Sequence, residues 1–200
     1  MYGKLWHILQ SGIASTVFLG PSSGGKTCLL LRFMYGKFIE NPNATLSPWL
    51  VEIEKRNILE VGGQSLLQEE LWPEIIKAII KANPLTFFVI DITDDNHFKV
   101  YRETIEKYPE IKRKHRFFLI ANKIDILKLE TYEYPSHLKN LDHDIIMTSA
   151  KNGAGCLTVA EIIDQQGGET TIDLQKIQEV EVSKEEIGEK IELDEELLDK

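Results

Sequence analysis

Cysteine is almost missing from this chain: of 200 residues, only Cys28 and Cys156 carry a thiol. Two are too few for a disulfide framework, so stability must come from a packed core, and a reducing cytoplasm is the expected compartment. Positive charge is also short, with 23 Lys and Arg against 32 Asp and Glu, a net charge of −9. That balance argues against a nucleic-acid partner, which would need a basic face to offset phosphate charge. No apolar stretch approaches the roughly 20 residues of a membrane span, and the N-terminus lacks a long apolar signal core. Glycine stands at position 3 rather than 2, so the usual myristoylation pattern is absent, and the acidic tail carries no cysteine motif for prenylation.

The negative charge is concentrated. Residues 167–200 hold 12 acidic and 4 basic side chains, −8 of the total, so the first 166 residues are close to neutral. This divides the chain into an N-terminal segment 1–12, one domain over 13–166 and an acidic C-terminal tail over 167–200. The tail spreads Ile172, Leu174, Ile177 and Val180 among charges without one clear period. A solvated, flexible tail is the favoured reading, and docking onto the domain or a partner is the alternative. In the N-terminal segment, Tyr2, Leu5, Trp6 and Leu9 fall at helical spacing. Such a helix suits either peripheral membrane contact through residues 2–10 or packing on its own domain.

The most informative stretch is Gly20-Pro21-Ser22-Ser23-Gly24-Gly25-Lys26-Thr27. It matches a glycine, four free positions and Gly-Lys-Ser/Thr, the phosphate-loop pattern, and lies between an apolar strand at 15–19 and a helix. Glycines let the backbone curl until several N–H groups face a polyphosphate, and the following helix adds its positive dipole end. Lys26 would reach the β- and γ-phosphates, and the Thr27 hydroxyl would ligate Mg²⁺. Cys28 opens the helix, which the spacing extends to about residue 38, where Asn41-Pro42-Asn43 breaks it.

Downstream, strands and helices alternate. Residues 49–54 and 57–61 form a hairpin turning near Lys55 and Arg56, and a helix spans about 66–81. Residues 85–91 are a continuous apolar run, as in a strand covered on both faces. A helix over about 97–108, a strand at 117–121, a strand at 144–147 and a helix over about 155–166 complete the pattern. The expected fold is α/β, a three-layer phosphate-loop nucleoside-triphosphatase fold with a mostly parallel six-stranded sheet and helices on both faces. In such folds ligands bind beyond the carboxyl ends of the strands. The phosphate loop, the 60–64 stretch, Asn122-Lys123-Ile124-Asp125 and Ser149-Ala150-Lys151 all follow strands and should converge there.

This combination resembles a small GTPase of the Ras superfamily over roughly residues 13–166. Asn122-Lys123-Ile124-Asp125 matches the Asn-Lys-x-Asp guanine motif, whose carboxylate accepts from both the ring N–H and the exocyclic amine. Ser149-Ala150-Lys151 matches the second base-binding element. Val61-Gly62-Gly63-Gln64 followed by Leu71-Trp72 is similar to the Arf family, as is a helix before the first strand. The resemblance implies a nucleotide site of Gly20, Ser22, Ser23, Gly24, Gly25, Lys26, Thr27, Cys28, Thr45, Gly63, Asn122, Lys123, Asp125, Ser149, Ala150 and Lys151 for GTP or GDP. It implies Mg²⁺ held by Thr27, Thr45 and Glu60, a γ-phosphate contact from the Gly63 N–H, and catalysis by Gln64, orienting the attacking water, with Lys26. Effector, GTPase-activating and exchange proteins are the implied partners, and cytoplasm or a membrane surface the implied place.

Three departures separate the chain from that family. Glu60 replaces an aspartate, the Thr45-to-Glu60 spacing is short, and the Gln64-to-Trp72 spacing is one residue long. No arginine stands where it could act as an internal finger, which implies slow unassisted hydrolysis. The leading expectation is a slow GTP-hydrolysing switch that recruits effectors. A nucleotide-loaded, weakly hydrolysing docking subunit is the alternative, and the guanine motif disfavours an ATP-dependent enzyme.

Overall fold

The computed structural model describes residues 7–9, 11, 13–40, 42, 48–53, 55–63, 71–112, 116–127 and 145–167. The tail beyond residue 167 and the expected helical start at 66–70 lie outside them. Six strands form one sheet: β1 (Thr16–Leu19), β2 (Trp49–Ile53), β3 (Arg56–Glu60), β4 (Leu85–Asp91), β5 (Phe117–Asn122) and β6 (Ile145–Met147). Their order is β2-β3-β1-β4-β5-β6, with β2 antiparallel to β3 and every other pair parallel. The helices are α1 (Lys26–Tyr35), α2 (Trp72–Ala82), α3 (Asp95–Lys107) and α4 (Cys156–Gly167).

The continuous apolar runs explain the layers. Every residue of β4 and β5 is buried, because alternate side chains enter opposite cores. Phe18, Phe87, Val89, Phe118 and Ile120 pack on one face with α1 and α4. Val17, Leu19, Phe88, Ile90, Leu119 and Ala121 pack on the other with α2 and α3. Phe18 pairs with Phe87, and Phe87 with Phe118, in parallel register. Their rings sit 5.0 and 5.6 Å apart, a stack that crosses three strands. The three-layer α/β expectation holds.

Two local expectations need correction. The first helix ends at Tyr35 rather than near residue 38, because Gly36 takes φ 71° and donates its N–H to Arg32 O at 2.8 Å. This glycine terminates the helix several residues before the Asn-Pro-Asn stretch. In the hairpin, Lys55 at φ 64° makes the turn, whereas Arg56 is already the first residue of β3 and pairs with Ile53. Arg56 is buried, and its guanidinium meets Asp164 of α4 at 2.7 Å, tying the hairpin to the sheet's helical layer.

Near the N-terminus, residues 7–9 are helical, and Ile8 and Leu9 are buried in the core that contains α2 and α3. At these two positions the apolar side packs on its own domain.

Candidate functional site

The carboxyl ends of β1, β3, β5 and β6 open into one cleft of about 460 Å³, within the usual range for small-molecule sites. Among the expected site residues, Ser22, Ser23, Gly25, Lys26, Thr27, Cys28, Glu60, Gly63, Asn122, Lys123, Asp125, Ala150 and Lys151 line it. Gly20, Gly24 and Ser149 stand behind this lining and hold it in place through the hydrogen bonds described below. Thr45 and Gln64 fall outside the described residues.

Gly25 is the N-cap of α1 at φ 92°, and a Cβ there would come within 2.2 Å of Asn122 Nδ2. Only glycine fits both constraints. Lys26, at the first turn of that helix, is 4% exposed and donates from Nζ to Gly20 O at 2.9 Å and Pro21 O at 2.7 Å. Burial pulls its pKa down to about 8, opposed by the charge of Glu60. The ammonium is therefore held inside the curl of the loop, where a polyphosphate would meet it.

Thr27 Oγ1 donates to Glu60 Oε1 at 2.8 Å. A hydroxyl and a carboxylate this close supply hard oxygens at about the separation of neighbouring ligands around octahedral Mg²⁺. Glu60 thus places its carboxylate directly on the threonine. Thr27 and Glu60 fit the ion, which when bound would neutralise phosphate charge. Gly63 leads away from β3, and a Cβ on it would lie 2.3 Å from Ser22 N. Its backbone rests directly against the phosphate loop.

The base side is built by Asn122. Buried at the end of β5, it donates from Nδ2 to Gly24 O at 3.0 Å, while its Oδ1 accepts from Thr148 Oγ1 at 3.0 Å and Ala150 N at 3.2 Å. One amide thereby staples the phosphate loop to the loop after β6. Ser149 Oγ donates to Asp125 Oδ1, orienting the carboxylate, and Asn152 N donates back to Ser149 Oγ at 3.2 Å. Lys123 adopts φ 70° and places its Nζ 2.7 Å from Asp91 Oδ2.

Several contributors escape sequence reading. Arg32 of α1 donates to Ala150 O at 2.9 Å and Lys151 O at 3.1 Å, clamping the loop after β6 from below. No sequence signal marks it. Phe38 and Ile126 line the same cleft, supplying apolar surface suited to a planar base. Asp91 ends β4 at the same sheet edge, a position that the rule for ligand sites in parallel sheets marks. Cys28 is half-buried in the wall, and burial pushes its thiol pKa up.

A glycine-rich loop wrapped around a buried lysine, a helix N-terminus, and a carboxylate-bearing loop across the cleft define a phosphate-loop nucleotide-binding protein of the α/β class. The chain further matches the Ras family over residues 15–183, and it belongs to that family. It is thus a small GTPase of the Ras superfamily; such proteins bind GTP and GDP, typically with Mg²⁺, and generally hydrolyse GTP. The match runs past the shift in composition at Gly167 and Gly168.

Proposed function

We propose that this protein is an Arf-like molecular switch that hydrolyses GTP slowly and recruits effector proteins in its GTP state, with activating and exchange proteins as partners. The observation that carries the reading is the coupling of β3 to the phosphate loop. Glu60 receives the Thr27 hydroxyl, and three residues later Gly63 lies against Ser22. A third phosphate added beside Ser22 would press on this junction, and its loss would relax it, which is the elementary event of such a switch.

In this reading Lys26 neutralises phosphate charge, the Gly63 N–H contacts the γ-phosphate, and Gln64 orients the attacking water. Thr45 would join Thr27 and Glu60 at Mg²⁺. Asp125 selects guanine by accepting from two donors, while the Ala150 and Lys151 loop closes the base pocket. The protein works in the cytoplasm, and membrane contact through residues 2–10 requires Ile8 and Leu9 to leave the core.

Purified protein should turn over GTP at a low rate, and Gln64→Leu should lower single-turnover hydrolysis by about 10- to 100-fold while leaving GTP bound. Liposome sedimentation extends the same experiment: binding should require a non-hydrolysable GTP analogue and vanish when residues 1–12 are deleted. Equal turnover by Gln64→Leu would sink the catalytic assignment, and nucleotide-independent liposome binding the membrane one. A nucleotide-loaded, weakly hydrolysing docking subunit is the second reading, motivated by Glu60 and the short Thr45-to-Glu60 spacing, and it predicts retained nucleotide with little exchange on Mg²⁺ chelation, where a switch should exchange.

A further inference from the structure

Asp91 sits at the carboxyl end of β4 with only part of its carboxylate reachable by solvent. Each oxygen has its own partner. Oδ1 accepts from Thr93 N at 2.9 Å and Thr93 Oγ1 at 2.6 Å, and Oδ2 meets Lys123 Nζ at 2.7 Å. The backbone is pinned as well: the Asp91 N–H donates to His97 Nδ1 at 3.0 Å, and the next N–H, of Ile92, donates to Asn122 O at 3.0 Å. Because Nδ1 accepts, the neutral imidazole carries its proton on Nε2, which lies 3.3 Å from Asp94 Oδ2. Burial pushes the His97 pKa down against the pull of Asp94 and Asp91, which favours the neutral ring. For Asp91, burial raises the carboxyl pKa but the bonds from Lys123 and Thr93 outweigh it, leaving the group below its ordinary value.

Lys123 needs such support. It occupies the left-handed region at φ 70°, and it lines the cleft together with Asp125 and Phe38. A lysine stem left loose would have to be ordered each time a ligand bound. We propose that Asp91 is a positioning residue for nucleotide retention, its carboxylate fixing the Lys123 stem as a wall of the base side of the cleft, with Thr93 and His97 fixing Asp91 in turn. The inference rests on the guanine-nucleotide reading above. It adds a layer of residues, drawn from β4 and the start of α3, that no nucleotide motif contains. Ordering the stem in advance removes an entropic cost of binding and slows release.

The test is the rate at which protein loaded with N-methylanthraniloyl-GDP releases it into excess unlabelled GDP. Asp91→Asn keeps the shape and the acceptor for Thr93 but removes the charge facing Lys123. It should release the analogue about tenfold faster, since a charge-assisted contact is lost, and Asp91→Glu should restore part of the retention. In a Lys123→Met background the Asp91→Asn effect should disappear, because the two act as one unit. Thr93→Val, which strips one hydrogen bond from Oδ1, gives the same comparison should Asp91→Asn fail to accumulate. Unchanged release from these variants, or equal acceleration with and without Lys123, overturns the proposal while wild type still retains the analogue. Wild type that retains none overturns both the nucleotide reading and this inference.

Discussion

Lys26→Met is expected to weaken GDP and GTP binding about a thousandfold, measured by titration with a fluorescent nucleotide. The ammonium is the one cation enclosed by the phosphate loop among the described residues, and its two carbonyl partners hold it where phosphate oxygens would converge. Two charge-assisted contacts at about 2 kcal/mol each account for that factor. Burial adds a signature in pH. In the free protein Lys26 titrates at about 8, whereas phosphates would keep it protonated. Above pH 8 binding must therefore take up a proton, and affinity should fall about tenfold per pH unit up to roughly pH 10. The Met variant should show no such slope. The linkage has the opposite sign for folding: the unfolded chain keeps this proton up to 10.5, so the free protein should gain stability between pH 8 and 10.5. A slope of equal size in both proteins would show that another group is responsible.

Asn122→Ala should be the most damaging change on the base side. It would strand Gly24 O, Thr148 Oγ1 and Ala150 N, three groups now satisfied by one buried amide. Leaving such groups unpaired costs about 2–4 kcal/mol together, which in a domain of this size lowers Tm by roughly 5–15 °C. The functional loss should be larger than the stability loss suggests. With the staple gone, the phosphate loop and the loop after β6 move independently, and GDP release should accelerate about a hundredfold. Calorimetry of the nucleotide-free protein and the release assay separate the two effects. A variant that melts lower but holds GDP normally would show that Asn122 supports only the fold.

Much of the architecture is legible in the sequence because its signals are local. Residues 85–91 and 117–121 read as doubly covered strands from uninterrupted apolar character, and the structure buries all of β4 and β5. The motif loops read correctly as strand-end features, since the spacing of Gly20 to Thr27 already implies strand, loop and helix. Where reading fails, a single backbone conformation or a distant partner decides. Gly36 ends α1 through one left-handed residue, although Asn41-Pro42-Asn43 is the stronger breaker by composition. Phe38 consequently leaves the helix and lines the cleft.

Other site features depend on contacts that no short window contains. Arg32 reaches residues 118 and 119 positions away in the chain, and the role of Asn122 as a staple appears only when Gly24 and Ala150 are brought together. Asp91 looks like the polar end of an apolar strand until Lys123 is placed beside it. The N-terminal helix carried two readings of equal standing, and burial of Ile8 and Leu9 shows which surface they cover in this structure.

The central claim is that four strand-end stretches form one site selective for guanine nucleotides. Competition against bound N-methylanthraniloyl-GDP by GTP, ITP and ATP tests it most directly, because ITP lacks only the exocyclic amine that Asp125 would accept from. GTP should displace the probe at the lowest concentration, ITP should need roughly 10- to 100-fold more, and ATP should need at least a thousandfold more. Displacement by ATP at the same concentration as GTP would contradict the claim.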